Sequence, residues 1–347
     1  MKIKEFDYKL PNALIAIEPN SRRDKARLLV LDKSNGAIED SHFSSLPKHL
    51  KAGDVLVFND SKVIPARLFG QSRDKEFEIL LIKKRPDGRW ECWLKPGRKA
   101  KIGAIFTISQ KLQGTLIKRE KDIFILEFNL KDHAFDQEIE AVGEMPIPPY
   151  ILKEREKRAL PEHDYKDAKN YQTIFANQAG SVAAPTAGLH FNEQLVAKLN
   201  KNGIQIEKVT LHVSLGTFQP ITTERVEDFE IHRESFAITA ETALRLNQAK
   251  QAGRRIIAVG TTAVRVLESA TVEGVIRPSS GETKIYIYPG YKFVFVDGLI
   301  TNFHLPKSSL LLLVSALVGK KTLFCAYEHA ISEKYLFYSY GDGMLII

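Results

Sequence analysis

The sequence has 347 residues, of which 44% are hydrophobic and 27% charged, values typical of a globular protein of one or two domains. Its two cysteines, Cys92 and Cys325, form no CxxC pair, which argues for a reducing compartment and against a thiolate metal site. The first ten residues are rich in charge, and the longest apolar run, Leu310–Val318, is about half a membrane span. We therefore expect a cytoplasmic protein without membrane contact.

The first clear element is a buried strand over residues 53–60, which is apolar from Val55 to Phe58 and ends in Asn59 and Asp60. Short strands separated by turns such as Pro86–Gly88 follow between residues 70 and 145. Their spacing of about ten residues predicts a small antiparallel barrel or sandwich. The predicted strands are Glu78–Ile82, Trp90–Leu94, Ala104–Ser109, Gly114–Lys118 and Ile123–Phe128.

The same region is strongly basic. Between Lys83 and Lys121, twelve basic residues stand against three acidic ones, a balance of +9 in a chain whose formal net charge is +8. This charge predicts either a solvated face of a small β-domain or a surface that binds phosphates. The interleaved Trp90 and Trp93 favour the phosphate-binding surface.

Helices and strands alternate in the second half of the chain. The proline-rich segment Gly143–Tyr150 predicts an extended strap, and the charged segment Lys153–Lys169, which lacks periodicity, predicts an exposed connection. Alternation predicts an α/β domain with a mixed sheet, formed by residues 1–69 and 150–347 and interrupted by an inserted β-barrel of residues 70–149. The predicted elements are helices Phe191–Asn200, Ala240–Gln251 and Thr261–Ser269 and the strand Arg255–Gly260.

The run Leu299–Ser309 combines a buried strand end, a polar cluster and a helix start. Ser308 and Ser309 precede an apolar run, so they predict the cap of a buried helix. A strand-to-helix turn of this kind presents backbone N–H groups and a positive dipole end to a ligand.

Five segments share this form of an apolar strand with a polar or glycine-rich end. Because ligands bind at the carboxyl ends of strands in open α/β sheets, their convergence predicts a binding crevice. The segments are Leu56–Lys62, Ser181–His190, Val209–Phe218, Ile256–Thr262 and Leu299–Lys307.

Each segment alone leaves a structural alternative open. His212, which alternation places on the same strand face as Thr210 and Ser214, is either a packed histidine beside hydroxyls or a base of the site. The turn Gly260–Thr262 is either an ordinary helix cap or a seat for a carboxylate or phosphate. The small residues of Ala183–Phe191 let a flat ligand approach the backbone, although tight packing would need them equally.

Other motifs are missing from the sequence. No GxGxxG follows a strand, and the P-loop, HExxH and GxSxG patterns are absent. These absences argue against a nicotinamide enzyme, a P-loop NTPase, a zinc hydrolase and an α/β-hydrolase.

Motifs along the whole chain, in order, carry a resemblance to a known family. They are Asp7–Pro11 with Arg23 and Asp24, Asn59–Leu68, Lys95–Arg98, Gly143–Tyr150, Tyr171–Thr173, Ala183–Phe191, Thr210–Pro220, His232–Glu234, Val259–Arg265, Tyr288–Tyr291, Thr301–Ser309 and Tyr340–Asp342. Together they closely resemble the S-adenosylmethionine:tRNA ribosyltransferase-isomerases of queuosine biosynthesis. Gly343, where alanine is more usual, and the long connection Lys153–Lys169 depart from the family pattern.

The resemblance implies a specific reaction and fold. The family transfers the ribosyl part of S-adenosylmethionine to 7-aminomethyl-7-deazaguanine at the tRNA wobble position and isomerises it, forming epoxyqueuosine and releasing adenine and methionine. S-adenosylmethionine is thus a consumed substrate, and neither a metal nor a separate cofactor is expected. The family fold is an α/β domain with a six-stranded barrel. We expect the protein to act as a monomer.

The reaction needs a base beside the sulfonium, an acid for the departing adenine and exclusion of water. Histidine transfers protons near neutral pH, and aromatic faces such as Phe303, Tyr288 and Tyr171 suit a sulfonium. The methionine carboxylate is expected on the Gly260–Thr262 turn. The catalytic candidates are His212, His304 and Asp60. The expected substrate contacts are Lys62, Arg67, Glu144, Thr186, His190, Thr261, Thr262, Tyr288, Asn302, Phe303, Lys307 and Ser308. The expected tRNA contacts are Lys83, Arg98, Lys99, Lys101, Lys118 and Arg119.

Two other functions remain open at the level of sequence. A methyltransferase would also bind S-adenosylmethionine and tRNA, but it normally has a glycine-rich turn after its first strand, and we find none. A non-catalytic RNA-binding protein would explain the basic insert but not the polar strand ends. Product analysis separates the three functions.

Overall fold

The computed structural model describes residues 1–162, 164, 166–214 and 220–347, so the end of the predicted segment Val209–Phe218 lies outside the described residues. The strands are β1 (Arg27–Leu31), β2 (Ile38–His42), β3 (Val55–Asn59), β4 (Ser61–Val63), β5 (Arg67–Ser72), β6 (Lys75–Lys84), β7 (Trp90–Lys95), β8 (Ile105–Thr107), β9 (Gln113–Glu120), β10 (Ile123–Phe128), β11 (Gln178–Ser181), β12 (Gln205–Leu211), β13 (Glu234–Ile238), β14 (Ile256–Val259), β15 (Thr271–Val272), β16 (Val275–Ile276), β17 (Ser279–Thr283), β18 (Gly298–Asn302) and β19 (Gly343–Ile346). The α-helices are α1 (Asp132–Val142), α2 (Pro149–Lys157), α3 (Asp167–Asn170), α4 (Glu193–Lys201), α5 (Ala240–Gln251), α6 (Thr261–Ala270), α7 (Ser309–Val318) and α8 (Lys320–Ser332).

A nine-stranded mixed sheet in the order β17-β13-β12-β3-β14-β18-β19-β1-β2 forms the centre of the α/β domain. Its middle strands β12, β3, β14 and β18 are mutually parallel, so their carboxyl ends meet at one edge. Alternate residues of β3 pack on opposite faces: Val55 and Val57 join the core that contains α5 to α8, whereas Leu56 and Phe58 join the core that contains α4. Because both faces are covered, β3 is apolar up to Asn59 and β14 is apolar throughout, whereas β12 mixes polar and apolar residues.

The inserted region is a closed antiparallel barrel of six strands in the order β10-β7-β6-β5-β8-β9. The predicted fold class, a mixed-sheet α/β domain interrupted by a small antiparallel barrel, is therefore confirmed. The strand β5 was not predicted from the sequence, and β8 covers only Ile105–Thr107 of the predicted Ala104–Ser109. The first barrel strand starts at Arg67, and the domain limits 69/70 and 149/150 stay predictions.

The chain enters and leaves the barrel at two paired residues. Arg67 and Glu144 form an isolated antiparallel bridge in which each backbone N–H donates to the other carbonyl, over 3.1 and 2.8 Å. The Arg67 guanidinium also forms ion pairs with Glu78, Glu144 and Glu162 at 2.7, 3.0 and 2.7 Å. We call this paired entry and exit the neck of the barrel.

Most of the described residues of Lys153–Lys169 are exposed, as the sequence predicts, but the segment contains parts of two helices and buries Glu154, Arg155 and Asp167. The helix α2 covers Pro149–Lys157, so it also includes the end of the predicted strap, and α3 begins at Asp167. Arg155 and Asp167 form a bidentate pair of 2.7 and 2.8 Å whose side chains are each 5% exposed. The charges of Arg155 and Asp167 are therefore neutralised inside the protein, whereas sequence composition alone predicts a solvated loop.

The predicted helix cap after β18 is confirmed. The Ser308 Oγ accepts a hydrogen bond of 3.2 Å from the backbone N–H of Leu311, and α7 begins at Ser309. In the described part of the chain, no single helix is long and apolar enough to cross a membrane. The helices α7 and α8, which meet at a bend of 113°, have sufficient length and apolar composition only when they are counted together.

Candidate active site

Segments that the sequence singles out meet at the carboxyl edge of the sheet. A crevice enclosing about 610 Å³ of empty space, part of it open to solvent, lies where β14 and β18 end and where the small residues after β11 cross them. Its lining includes Thr186, Thr261, Thr262, Asn302, Phe303, His304 and Ser308, all of which the sequence predicts as site residues. Four of the five predicted segments therefore contribute to one cavity. Three of them are Ser181–His190, Ile256–Thr262 and Leu299–Lys307, and the segment Val209–Phe218 contributes Val213.

Asn302 organises the floor of the crevice. Its Oδ1 accepts a hydrogen bond of 3.1 Å from the Thr186 hydroxyl, and its Nδ2 donates to Nε2 of His190 and to the carbonyl of Tyr338, each over 3.1 Å. His190 in turn stacks on Phe43 with ring centroids 4.2 Å apart. Because these partners are internal, Asn302 and His190 hold the crevice in shape.

His304 is deeply buried beside the crevice. Its Nε2 lies 2.8 Å from the Thr301 hydroxyl, and its backbone N–H donates to the Tyr327 hydroxyl over 2.9 Å. Burial lowers the pKa of His304 to about 3, and burial with the nearby Arg23 lowers that of His190 to about 3. Both rings are neutral at physiological pH, and so low a pKa makes either ring a weak base.

Two buried hydroxyls in the crevice have no hydrogen-bond partner among the described residues: Oγ1 of Thr262 and Oγ of Ser339. Buried polar atoms are normally paired, so orphaned hydroxyls in a cavity mark places where a ligand can bond. Thr262 belongs to the predicted turn, where Gly260 adopts φ +93°, a left-handed conformation that side chains resist, and leads into the first turn of α6. The turn thus supplies free N–H groups and a free hydroxyl to one cavity.

His212 lies in a second cavity, which we call the junction cavity because it separates the barrel from the sheet. It encloses about 1100 Å³ and is lined by His212 and Ser214 and by Lys83 and Trp90 of the barrel. Val213, whose side chain points away from that of His212, lines both the junction cavity and the crevice. The two cavities are therefore neighbours across one residue of the chain.

The His212 ring keeps one nitrogen without a hydrogen-bond partner among the described residues. This atom is the buried Nδ1, and Gly180 leaves room for the ring, since a Cβ there would lie 3.1 Å from Nδ1. Burial lowers the pKa of His212, while the Asp60 carboxylate opposes this effect. Asp60 itself accepts a hydrogen bond of 2.7 Å from the Thr210 hydroxyl.

Other predicted substrate contacts lie away from the crevice. Lys62 and Glu144 line a cavity at the neck, next to the ion pairs of Arg67. Lys307 forms an ion pair of 2.9 Å with Asp7. Tyr288 packs at 5.0 Å from Tyr286, outside the crevice lining. The order of motifs in the chain therefore did not show which polar groups share a cavity.

The aromatic candidates for the sulfonium divide in the same way. Phe303 lines the crevice but is fully buried against Phe337, with centroids 4.7 Å apart, and Tyr171 is fully buried against Tyr340. Sequence reasoning missed Tyr150 and Tyr338, which pack edge to face at 5.0 Å and both line the crevice. One signal was available, because Tyr150 ends the proline-rich strap; the positive φ of 74° at Tyr338 has no sequence signature.

The basic surface of the barrel is partly neutralised. Lys83 is paired with Glu282 and Lys118 with Glu120, and the Arg119 guanidinium lies over the Phe124 ring. In contrast, Arg98, Lys99 and Lys101 are exposed around one loop at the end of the barrel and form no ion pair with any described residue. We call these three residues the basic loop. The described residues contain no group of three His, Cys, Asp or Glu side chains placed to hold a metal ion.

Comparison with known proteins assigns the chain to one group. The sequence model of the family described as "Queuosine biosynthesis protein" matches residues 3–346. The S-adenosylmethionine:tRNA ribosyltransferase-isomerase of Halothermothrix orenii is 48% identical over 353 residues, and that of Carboxydothermus hydrogenoformans is 46% identical over 349 residues, with 100% of both chains covered in each comparison. The crystal structure of the S-adenosylmethionine tRNA ribosyltransferase from Thermotoga maritima is 35% identical, with a TM-score of 0.57 and coverage of 99% of this chain and 100% of that chain.

Proposed function

The chain belongs to the queuosine biosynthesis family of S-adenosylmethionine:tRNA ribosyltransferase-isomerases, and we propose that it carries out this reaction between the crevice and the junction cavity. The enzyme transfers the ribosyl part of S-adenosylmethionine to 7-aminomethyl-7-deazaguanine at the tRNA wobble position and isomerises it to the epoxycyclopentanediol of epoxyqueuosine. Adenine and methionine are released. S-adenosylmethionine is consumed as a substrate, and we expect no metal and no separate cofactor.

S-adenosylmethionine occupies the crevice. The small residues Ala184, Pro185 and Ala187 let a flat adenine or a ribose lie close to the backbone. The orphaned hydroxyls of Thr262 and Ser339 face the same space and gain partners when ribose or adenine atoms arrive. Tyr150 and Tyr338 offer aromatic surface to the sulfonium.

The target nucleoside occupies the junction cavity. Trp90 forms part of its wall and Lys83 and Arg233 part of its lining, a combination suited to a base and its flanking phosphates. The single observation that supports this arrangement is the position of Val213, which lines both cavities. An amine in the junction cavity and a ribose in the crevice would therefore be separated by about the width of one residue, Val213.

We infer that His212 is the base and that the charge of the nearby Asp60 carboxylate stabilises its protonated form. Unlike His304, the His212 ring has a free nitrogen that no described residue engages. Its lowered pKa keeps the ring neutral and ready to accept a proton at physiological pH. His304 supports the crevice wall through Thr301 and Tyr327.

The experiment that tests the function is product analysis with S-adenosylmethionine and tRNA carrying 7-aminomethyl-7-deazaguanine. We expect adenine, methionine and epoxyqueuosine tRNA in equal amounts. Formation of S-adenosylhomocysteine would instead identify a methyltransferase, and tRNA binding without turnover would identify an RNA-binding protein.

A further inference from the structure

Arg265 is a deeply buried cation to which the proposed mechanism assigns no role. It lies on α6, its side chain is 5% exposed, and its Nη1 pairs with the Glu234 carboxylate, which is 1% exposed. Its Nε and Nη2 have no hydrogen-bond partner among the described residues. A buried guanidinium with two unused donors is costly to keep, so the two free N–H groups need an explanation in ligand binding.

Arg265 lines a separate narrow pocket, part of it open to solvent, which we call the Arg265 cavity. The hydroxyl of Tyr286, in the same lining, is also buried without a partner in the described part of the chain. Besides Glu234, whose carboxylate is paired with Arg265, the wall contains His232 and Ser309 and six apolar residues: Phe229, Ile231, Ile285, Ile287, Leu310 and Leu313. The unused polar atoms are donors or a hydroxyl, so the complementary ligand carries oxygen acceptors on an apolar stem.

The Arg265 cavity continues the crevice. Leu310 lines both spaces, and the neighbouring Ser308 and Ser309 line one each. Thr262 in the crevice and Arg265 lie three residues apart on α6, about 4.5 Å along the helix axis at about 1.5 Å per residue. A short chain leaving the crevice past Thr262 therefore arrives at Arg265.

We propose that the Arg265 cavity binds the carboxylate of the methionine part of S-adenosylmethionine, with the Arg265 guanidinium and the Tyr286 hydroxyl as donors. The proposal rests on the proposed function and moves this carboxylate from the Gly260–Thr262 turn, where the sequence places it. The turn and the Thr262 hydroxyl then serve the nucleoside end of the same molecule.

The chemistry of Arg265 fits a carboxylate. Burial lowers its pKa to about 10, so it stays protonated at neutral pH. Nε and Nη2 point along one edge of the planar fork, which matches two carboxylate oxygens. The apolar wall suits the two methylenes between the sulfonium and the α-carbon.

The test compares S-adenosylmethionine with decarboxylated S-adenosylmethionine, which keeps the sulfonium and the amine and lacks only the carboxylate. Binding of both is measured by calorimetry to the wild type, Arg265→Lys and Tyr286→Phe. Lysine keeps the charge opposite Glu234 but loses the second pair of donors. Arg155→Lys is the matched control, since Arg155 is an equally buried, ion-paired arginine outside the cavity.

We expect the wild type and Arg155→Lys to prefer S-adenosylmethionine by tenfold or more. Arg265→Lys should lose most of that preference while keeping its affinity for the decarboxylated compound, and Tyr286→Phe should lose a smaller part. A preference that persists in Arg265→Lys with an unchanged melting temperature would overturn the proposal, as would equal, tight binding of both compounds by the wild type. Failure of the wild type to bind either compound would overturn the proposed function itself.

Discussion

The Oγ1 hydroxyl of Thr210 donates a hydrogen bond of 2.7 Å to the Asp60 carboxylate and so joins the end of β12 to the residue that follows β3. Asp60 in turn favours the charged form of His212, two residues further along the chain from Thr210. In the proposed mechanism, His212 takes a proton from the substrate and the Asp60 carboxylate stabilises the imidazolium that forms.

We predict that His212→Asn reduces turnover by about two to four decades, the usual loss of a general base, while S-adenosylmethionine affinity stays near the wild-type value. The control is His329→Asn. His329 lies on α8, away from both cavities, and pairs with Asp40 of β2. Near-wild-type turnover in a folded His212→Asn protein would show that His212 is a packed histidine without a role in proton transfer.

The pH profile of kcat/KM gives an independent check on His212. Because its pKa is lowered below 6.5, the rate should rise with pH along an acidic limb whose midpoint lies below 6.5 and should be flat from there to neutrality. Asp60→Asn removes the carboxylate that opposes the lowering, so the midpoint should move further towards acid. A midpoint that moves to higher pH would contradict the electrostatic effect of Asp60 on the pKa of His212.

Stability should depend on pH through His190 and His304. Both have a pKa of about 3 in the folded protein, against 6.5 without burial, so between these values the unfolded chain binds protons that the folded chain does not. Their contribution is complete above about pH 6.5 and is lost as the pH falls towards 3, by up to about 1.4 kcal/mol per pH unit for each histidine. Urea unfolding of His304→Gln between pH 7 and 4 should therefore show a shallower loss of stability than the wild type. His133→Gln, at an exposed position on α1, should keep the wild-type slope.

An aspartate at position 262 should weaken S-adenosylmethionine binding by tenfold or more, about 1.4 kcal/mol, because it fills the space of the Thr262 hydroxyl and draws the Arg265 guanidinium away from the ligand. Thr262→Val, which removes only the hydroxyl, should cause a smaller loss. Thr242→Asp is the control, since Thr242 is a buried threonine in the first turn of α5 outside the crevice. Unchanged affinity in Thr262→Asp, measured by calorimetry, would mean that the turn only caps its helix.

Neutralising the basic loop by changing Arg98, Lys99 and Lys101 to glutamine should weaken tRNA binding and reduce its salt dependence by about 0.7–0.9 in the logarithmic slope for each lost phosphate contact. S-adenosylmethionine binding should not change. The matched control changes Lys51, Lys201 and Arg254, exposed cations near the amino ends of the sheet strands. Equal salt slopes in the two triple variants would place the tRNA across the α/β domain.

Sequence patterns predicted the strand ends that form the crevice because each combines an apolar run with a local polar motif. The β3, β14 and β18 strands and the Ser308 cap follow from such local signals. The same reasoning missed α2, because burial of Arg155 is made possible by Asp167, twelve residues away, and composition alone reports only that the segment is charged.

The functional roles of individual polar residues could not be read from sequence in the same way. Arg67 and Arg265 look alike within their motifs, yet Arg67 uses its guanidinium in three ion pairs whereas Arg265 keeps two nitrogens unused. Ser339 lies in a turn with no motif of its own. Whether a donor already has a hydrogen-bond partner depends on residues from distant elements, which only the folded chain brings together.

The neck also bears on how the two parts of the enzyme can vary. Because Arg67 and Glu144, 77 residues apart in sequence, pair directly, the chain between them begins and ends at the same point on the α/β domain. For that domain the whole barrel is equivalent to one hairpin loop, and its excision in favour of a two-residue turn would leave the flanking chain ends in register. The barrel can thus differ in length or sequence while the crevice, which no barrel residue lines, keeps its form, whereas the junction cavity would change with it.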